Sequence, residues 1–166
     1  MTQAEIASGY KKNHAKPKRL VLRRIGVVRS PVREPGMRNW DPVISEIHLK
    51  HQWLKALKGI EEFSHIIVLF WLSRVRGIEL QTHPRNRKDL PLVGMFATRS
   101  PYRPNPIGLT VCRLLKRRGT RLQVKGLDAI DGSPVIDIKP YITDNDFVRR
   151  PRMPDWVYRL RNSSSR

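Results

Sequence analysis

The chain has 166 residues, room for one domain with a core and too little for two comfortable ones. Hydrophobic residues at 39% and charged residues at 28% exclude a disordered composition. Lys+Arg 33 against Asp+Glu 14 leaves a net charge of +19, a self-repulsion that a polyanionic partner would relieve. The longest apolar run, about Ile66 to Leu72, is far below the roughly 20 residues that cross a bilayer. Met1–Gly9 lacks the apolar core of a secretory leader. Cys112 is the single cysteine, so neither a disulfide framework nor a multi-cysteine zinc site is available. These features predict a protein of the reducing, cytoplasmic compartment with no membrane segment.

In chain order, residues 1–20 read as a basic arm, with seven cations between Lys11 and Arg24 and no acid among them. Leu20 to Val28 is aliphatic and β-branched and predicts a strand, closed by Ser30-Pro31. Val43 to Leu49 alternates as a half-buried strand does. Gln52 to Lys58 predicts one short amphipathic helix with Gly59 as its cap. Phe63 to Leu72 is continuously apolar and predicts a central strand buried on both faces, with His65 as a core histidine. Arg74 to Leu90 reads as a long loop.

Further strands are expected at Leu92–Thr98, Ile107–Leu115, Arg121–Leu127 and Val135–Ile138. Residues 147–166 read as a flexible basic tail. Six or seven short strands, one short helix and proline-rich turns predict a mainly β, single-domain barrel over 21–146.

Two stretches carry chemistry. In GMFATRSPYRPNPIGLT (94–110), Pro101, Pro104 and Pro106 stiffen a loop presenting Arg99, Ser100, Arg103 and Asn105. Preorganised arginines suit carboxylates and phosphates. In LDAIDGSPVIDIKPY (127–141), Asp128, Asp131 and Asp137 cluster in a protein poor in acids. They offer an acidic wall for a cationic ligand or an acceptor for a ribose, while Asp131 beside Gly132 also reads as a plain turn residue. The histidines lack metal-ligand spacing, and no metal is expected. No GxGxxG, GxxxxGK[ST] or GxSxG element is present, which excludes a Rossmann-type cradle, a P-loop and a nucleophile elbow.

The segments GVVRSPV (26–32), PGM (35–37), EIHL (46–49), GIEEFSHIIVLFW (59–71), ATRS…RPNPIG (97–108) and LDAIDGSPVIDIKPY resemble the TsaA/TrmO-like family of tRNA methyltransferases. The resemblance implies a β-barrel that binds S-adenosylmethionine, forms a homodimer and methylates the 6-amino nitrogen of threonylcarbamoyladenosine beside the tRNA anticodon. Carried onto matching positions, it implies cofactor contacts at Pro35, Gly36, Met37, Ser73, Arg74, Arg99, Leu109 and Lys125, Gly126, Leu127 and Asp128. Asp128 or Asp131 is the expected proton acceptor. Arg99, Arg103 and Asn105 are the expected substrate contacts. The competing readings are a noncatalytic basic RNA-binding barrel and a methyltransferase of this fold with another substrate.

Overall fold

The structure, a computed structural model, describes residues 20–37 and 39–162. The basic arm before residue 20 and the end of the tail lie outside the described residues. The strands are β1 (Gly26–Arg29), β2 (Ile44–Leu49), β3 (His65–Trp71), β4 (Gln81–Thr82), β5 (Val93–Gly94), β6 (Ile107–Arg118), β7 (Arg121–Lys125) and β8 (Pro134–Pro140). Six of them close a barrel in the order β1-β2-β7-β6-β3-β8, with every neighbouring pair antiparallel. The mainly β barrel expected from the sequence is the fold observed.

Alternation explains the closure. Val28, Ile47, Ile66, Val68, Leu122, Val124 and Val135 are fully buried and point into the interior. Each such side chain stabilises the fold by roughly 1.5–3 kcal/mol relative to exposure. β3 is not buried on both faces: Ile66, Val68 and Phe70 face the core, while Ile67, Leu69 and Trp71 are half-buried outside. A barrel has only one interior, and among the described residues no second layer covers the outer face of β3. His65 likewise lies outside, exposed, with its ring edge toward Tyr141 and Nδ1 within 2.9 Å of the Ser64 hydroxyl.

Cys112 faces inward, and burial pushes its thiol up to about 12. The segment expected as an α-helix forms a 3-10 helix over His51–Leu57, with only Leu57 buried and no side-chain cap at Lys50.

Strand alternation in direction sorts the connections. Those from β1 to β2, β3 to β6 and β7 to β8 all lie at one end of the barrel. The β2–β3 connection and the tight β6–β7 hairpin lie at the other. The loop expected over Arg74–Leu90 is ordered, containing β4 and a 3-10 turn at Pro84–Asn86, and the strand expected at Leu92–Thr98 is only the two-residue β5 that pairs with β4, followed by a 3-10 turn at Met95–Ala97. A four-residue helix, α1 (Thr143–Asp146), follows β8, and the expected basic tail is partly folded as α2 (Asp155–Asn162). Pro154 just before the first turn and Asp155 within it favour that start, and Trp156, Val157 and Leu160 share one face.

Gly108, the second residue of β6, lies against the buried Phe70 ring, which a Cβ at this position would strike. Gly108→Ala is therefore expected to cost about 1–3 kcal/mol by overpacking, read as a lower urea midpoint with an unchanged m-value.

Candidate functional site

The three connections at one barrel end enclose a cleft of 430 Å³. That volume falls within the roughly 300–1,000 Å³ of small-molecule sites. Pro35, Gly36 and Met37 come from the β1–β2 connection, Ser73, Arg74, Arg99 and Arg103 from the β3–β6 excursion, and Asp128 from the β7–β8 connection. Leu109, Gly108 and Phe70 supply the strand ends. Gly36 holds φ +111, a conformation that side-chain-bearing residues rarely adopt, so the chain can turn sharply at the cleft wall.

The two aspartates separate in role. Asp131 does not line the cleft. Its Oδ1 accepts a hydrogen bond from the Ser30 backbone N–H at 3.1 Å, and its own N–H donates to Val32 O at 2.7 Å. It therefore ties down the start of the loop carrying Pro35–Met37, and the expectation of proton transfer at Asp131 does not fit this engagement. Asp128 does line the cleft. One side of it opens to solvent, yet protein around the rest desolvates the carboxyl and pushes its pKa above the ordinary value, with the Arg99 charge pulling it back down.

The two arginines separate as well. Arg103 Nη2 donates to Met95 O at 3.2 Å and Thr98 O at 3.0 Å, so this side chain braces its own loop. Its Nε is buried at the cleft with no partner among the described residues, an orphan donor beside the ligand space. The Arg99 guanidinium is exposed and makes no hydrogen bond or ion pair to a described residue. Among the described residues lining the cleft, it is the arginine left open to a ligand, with its charge felt by Asp128. Thr98 Oγ1 donates to Met95 O at 2.9 Å and accepts from Ser100 N–H at 3.1 Å, which stiffens the segment bearing Arg99 beyond what its prolines do.

Arg74 lines the cleft but is bound to Glu34 at 2.7 Å, an ion pair that joins two of the three connections. Leu127 is fully buried in the barrel, and Lys125, Gly126 and Asn105 lie outside the cleft lining. The sequence reading missed Trp40, Val75, Ala129, Ile130 and Ser133 on the cleft wall. Trp40 and Val75 lie close in sequence to flagged positions, and Ala129, Ile130 and Ser133 lie inside the flagged 127–141 stretch, so only that placement could have signalled them.

A family model described as the tRNA-methyltransferase O N-terminal domain matches residues 6–147. The chain belongs to this family. A probable S-adenosyl-L-methionine-binding protein of Methanothermobacter thermautotrophicus is 46% identical over 129 residues, covering 75% of this chain and 92% of the relative. A tRNA (adenine(37)-N6)-methyltransferase of Mus musculus is 45% identical over 92 residues, covering 55% of this chain and 21% of that protein. The crystal structure of TrmO from Pseudomonas aeruginosa superimposes with a TM-score of 0.67 at 31% identity, covering 81% of this chain and 61% of that one. The chain thus spans about three-fifths of that solved structure and about a fifth of the mouse protein.

The cleft suits a donor of S-adenosylmethionine's chemistry. Its wall is largely apolar, with one free guanidinium for a carboxylate and one desolvated carboxylate for a cationic centre. Among the described residues no group of three or more metal-ligating side chains is found.

Because the folded-state pKa of Asp128 is raised, the native state holds its proton more tightly than the unfolded chain does. Stability is therefore lost as pH rises from the ordinary carboxylate range through the raised value. Asp128→Asn is expected to raise the urea midpoint at pH 7 relative to wild type. The gain should shrink toward zero as pH falls below the ordinary carboxylate value.

Proposed function

We propose that this protein is an S-adenosylmethionine-dependent methyltransferase acting on the 6-amino nitrogen of the adenine next to the tRNA anticodon, with threonylcarbamoyladenosine as the acceptor base. The single observation that carries this reading is the Arg99–Asp128 cleft, assembled from the segments that match the TrmO family. The names of the relatives support both the methyl donor and the tRNA acceptor.

When bound, S-adenosylmethionine supplies an activated methyl group on a cationic sulfur. The chain's own residues then have three tasks. Arg99 holds the donor's carboxylate by a charge-assisted pair. The apolar wall of Met37, Phe70 and Leu109 excludes water and fixes the approach. Asp128, kept more basic than a solvated carboxylate, accepts the proton that the weakly basic amino nitrogen sheds.

RNA binding has its own support along the β6–β7 pair, which runs from Lys125 at the cleft end to the hairpin at the other end of the barrel. Arg113 faces Lys125, and Arg118 faces Arg121, across the β6–β7 pairing, and all four are exposed. Like charges directly opposite destabilise a sheet, so this pattern suits an anionic partner such as a phosphate backbone. Arg117 is spent on Glu61 at 2.8 Å and on Leu57 O at 3.1 Å, and the charges of Arg118 and Arg121 also reach Glu46, whose pKa they help to lower. Nine residues of β6 separate Leu109 from Arg118, roughly 30 Å at about 3.3 Å per residue. The RNA therefore reaches well beyond the base being modified.

The outer face of β6 exposes Leu109, Val111 and Leu115, and β3 adds Ile67 and Leu69 beside them. A second copy of the chain covering this stripe would form a homodimer and reach the cleft at Leu109. Among the described residues no helix is long and apolar enough to cross a membrane, which is compatible with work on the cytoplasmic tRNA pool.

Incubation with labelled S-adenosylmethionine and tRNA lacking the modification tests the reading by nucleoside mass analysis. Wild type should deposit one methyl group on the anticodon-adjacent adenine. Arg99→Ala should lower transfer by about tenfold or more, for loss of an interaction worth roughly 1.5–3 kcal/mol. Equal turnover and equal donor affinity in that variant would remove Arg99 from the mechanism. Separately, tRNA affinity should fall steeply with salt. Each of Arg118→Glu and Arg121→Glu should make the logarithmic salt slope shallower by about one or more.

A further inference from the structure

A second cleft, of 740 Å³, lies on the other side of the Arg99–Pro101 segment from the first. Those three residues line both spaces, so a ligand in one is separated from a ligand in the other by a single stiff stretch of chain. Nothing in the mechanism above uses this second space. Its floor is Trp156 and Leu160 of α2, and its far wall is the turn at His83–Asn86. At its lip stands Phe96, 82% exposed, with Tyr102 nearby at 40%.

Three observations point to an occupant. A phenylalanine ring exposed to that degree at the mouth of a cavity forgoes apolar burial unless something covers it. The far wall holds one side chain in an uncommon conformation, Arg85 at φ 54, followed by Asn86 at φ 57, a residue type that tolerates the left-handed region. Such strain concentrates at ligand-binding walls, where the surrounding structure holds it in place. Asn86 N–H donates to His83 O at 2.8 Å and Leu90 N–H to Arg87 O at 3.0 Å, which hold it.

The third observation is the tautomer of His83. Its Nδ1 lies 2.8 Å from Leu90 O, and a carbonyl can only accept, so Nδ1 carries the proton. In the neutral ring Nε2 is then a hydrogen-bond acceptor on a residue that lines the cleft.

The structure is itself arranged to keep this cleft formed. Arg159 of α2 donates to Asp89 O at 2.8 Å, and Asp89 also binds Arg87 at 2.6 Å. These two guanidinium charges and their hydrogen bonds hold the Asp89 carboxyl at about 2. The helix is thereby fastened to the strained turn, floor to wall.

We infer that the second cleft is a nucleobase subsite, in which an unstacked base of the RNA lies on Phe96 and presents its donor edge to His83 Nε2. An aromatic face stacks on any base, and RNA is read mainly where its bases are splayed from the helix. The shared Arg99–Pro101 wall would hold that base beside the methyl donor. This inference rests on the proposed RNA-methylating function and adds the place where the RNA strand is gripped.

The test is binding of a tRNA anticodon stem–loop and of an oligoadenylate hexamer to wild type, Phe96→Ala and Phe96→Trp over a range of salt. Phe96→Ala should weaken both RNAs by about tenfold with an unaltered logarithmic salt slope, because stacking releases no counterions. Phe96→Trp should restore the affinity, and S-adenosylmethionine binding by calorimetry should be the same in all three. Phe147→Ala, at an aromatic 60% exposed outside this cleft, should change nothing. RNA affinity that is equal in wild type and Phe96→Ala would overturn the subsite. So would a change from dimer to monomer on sedimentation of Phe96→Ala, which would make the ring a subunit contact. Absence of methyl transfer by wild type would instead end the functional reading, leaving the affinities to decide the subsite.

Discussion

Closure of the barrel is the constraint on which everything else depends. Antiparallel strands that complete a ring have only two ends at which to connect. Here the three connections carrying polar and glycine-rich segments share one end, while a tight hairpin and a short 3-10 helix occupy the other. Residues far apart in sequence, from Pro35 to Asp128, are thereby brought to a single cleft without any helix framework. The core of Val28, Ile47, Val68, Leu122 and Val135 makes that end rigid.

Within this frame the site works by division of labour between like residues. Of two arginines on one proline-braced loop, Arg103 turns inward to hold the loop's carbonyls and Arg99 faces the ligand space. Of two aspartates three residues apart, Asp131 anchors the opposite wall and Asp128 stays in the cleft. In each pair the supporting member fixes the geometry that the other uses. A preorganised cleft of this kind avoids the ordering cost that flexible arginine side chains would otherwise impose on binding.

Much of this was legible in the sequence because it depends on periodicity and turn chemistry. The alternation in Val43–Leu49 and Arg121–Leu127 marked β2 and β7, and Asp131-Gly132-Ser133-Pro134 marked the turn before β8. The presence of Arg99 and Asp128 at the cleft was foreshadowed by residue type and by the segments shared with the family. What was not legible depends on tertiary contact. The outward face of β3 looked like core because Ile67 and Leu69 are apolar, and only the barrel's single interior decides which side is buried. The roles of Arg103 and Asp131 turn on hydrogen bonds to carbonyls and amides that sequence does not locate. The helix at Asp155–Asn162 was hidden by a basic composition, since its three buried-face residues are few and its anchor, Asp89, is remote in sequence.

The Glu34–Arg74 pair has a consequence for how ligands come and go. It spans the entrance between two connections, and its members are 77% and 48% exposed. An ion pair so open to water contributes little to folding, with a median of about 0–1 kcal/mol. It therefore behaves as a latch rather than a rivet: thermal motion of two side chains can swing it aside while the ring of strands behind it stays shut. Admission of a small ligand would then require no breathing of the barrel, and higher ionic strength should leave the doorway ajar more often.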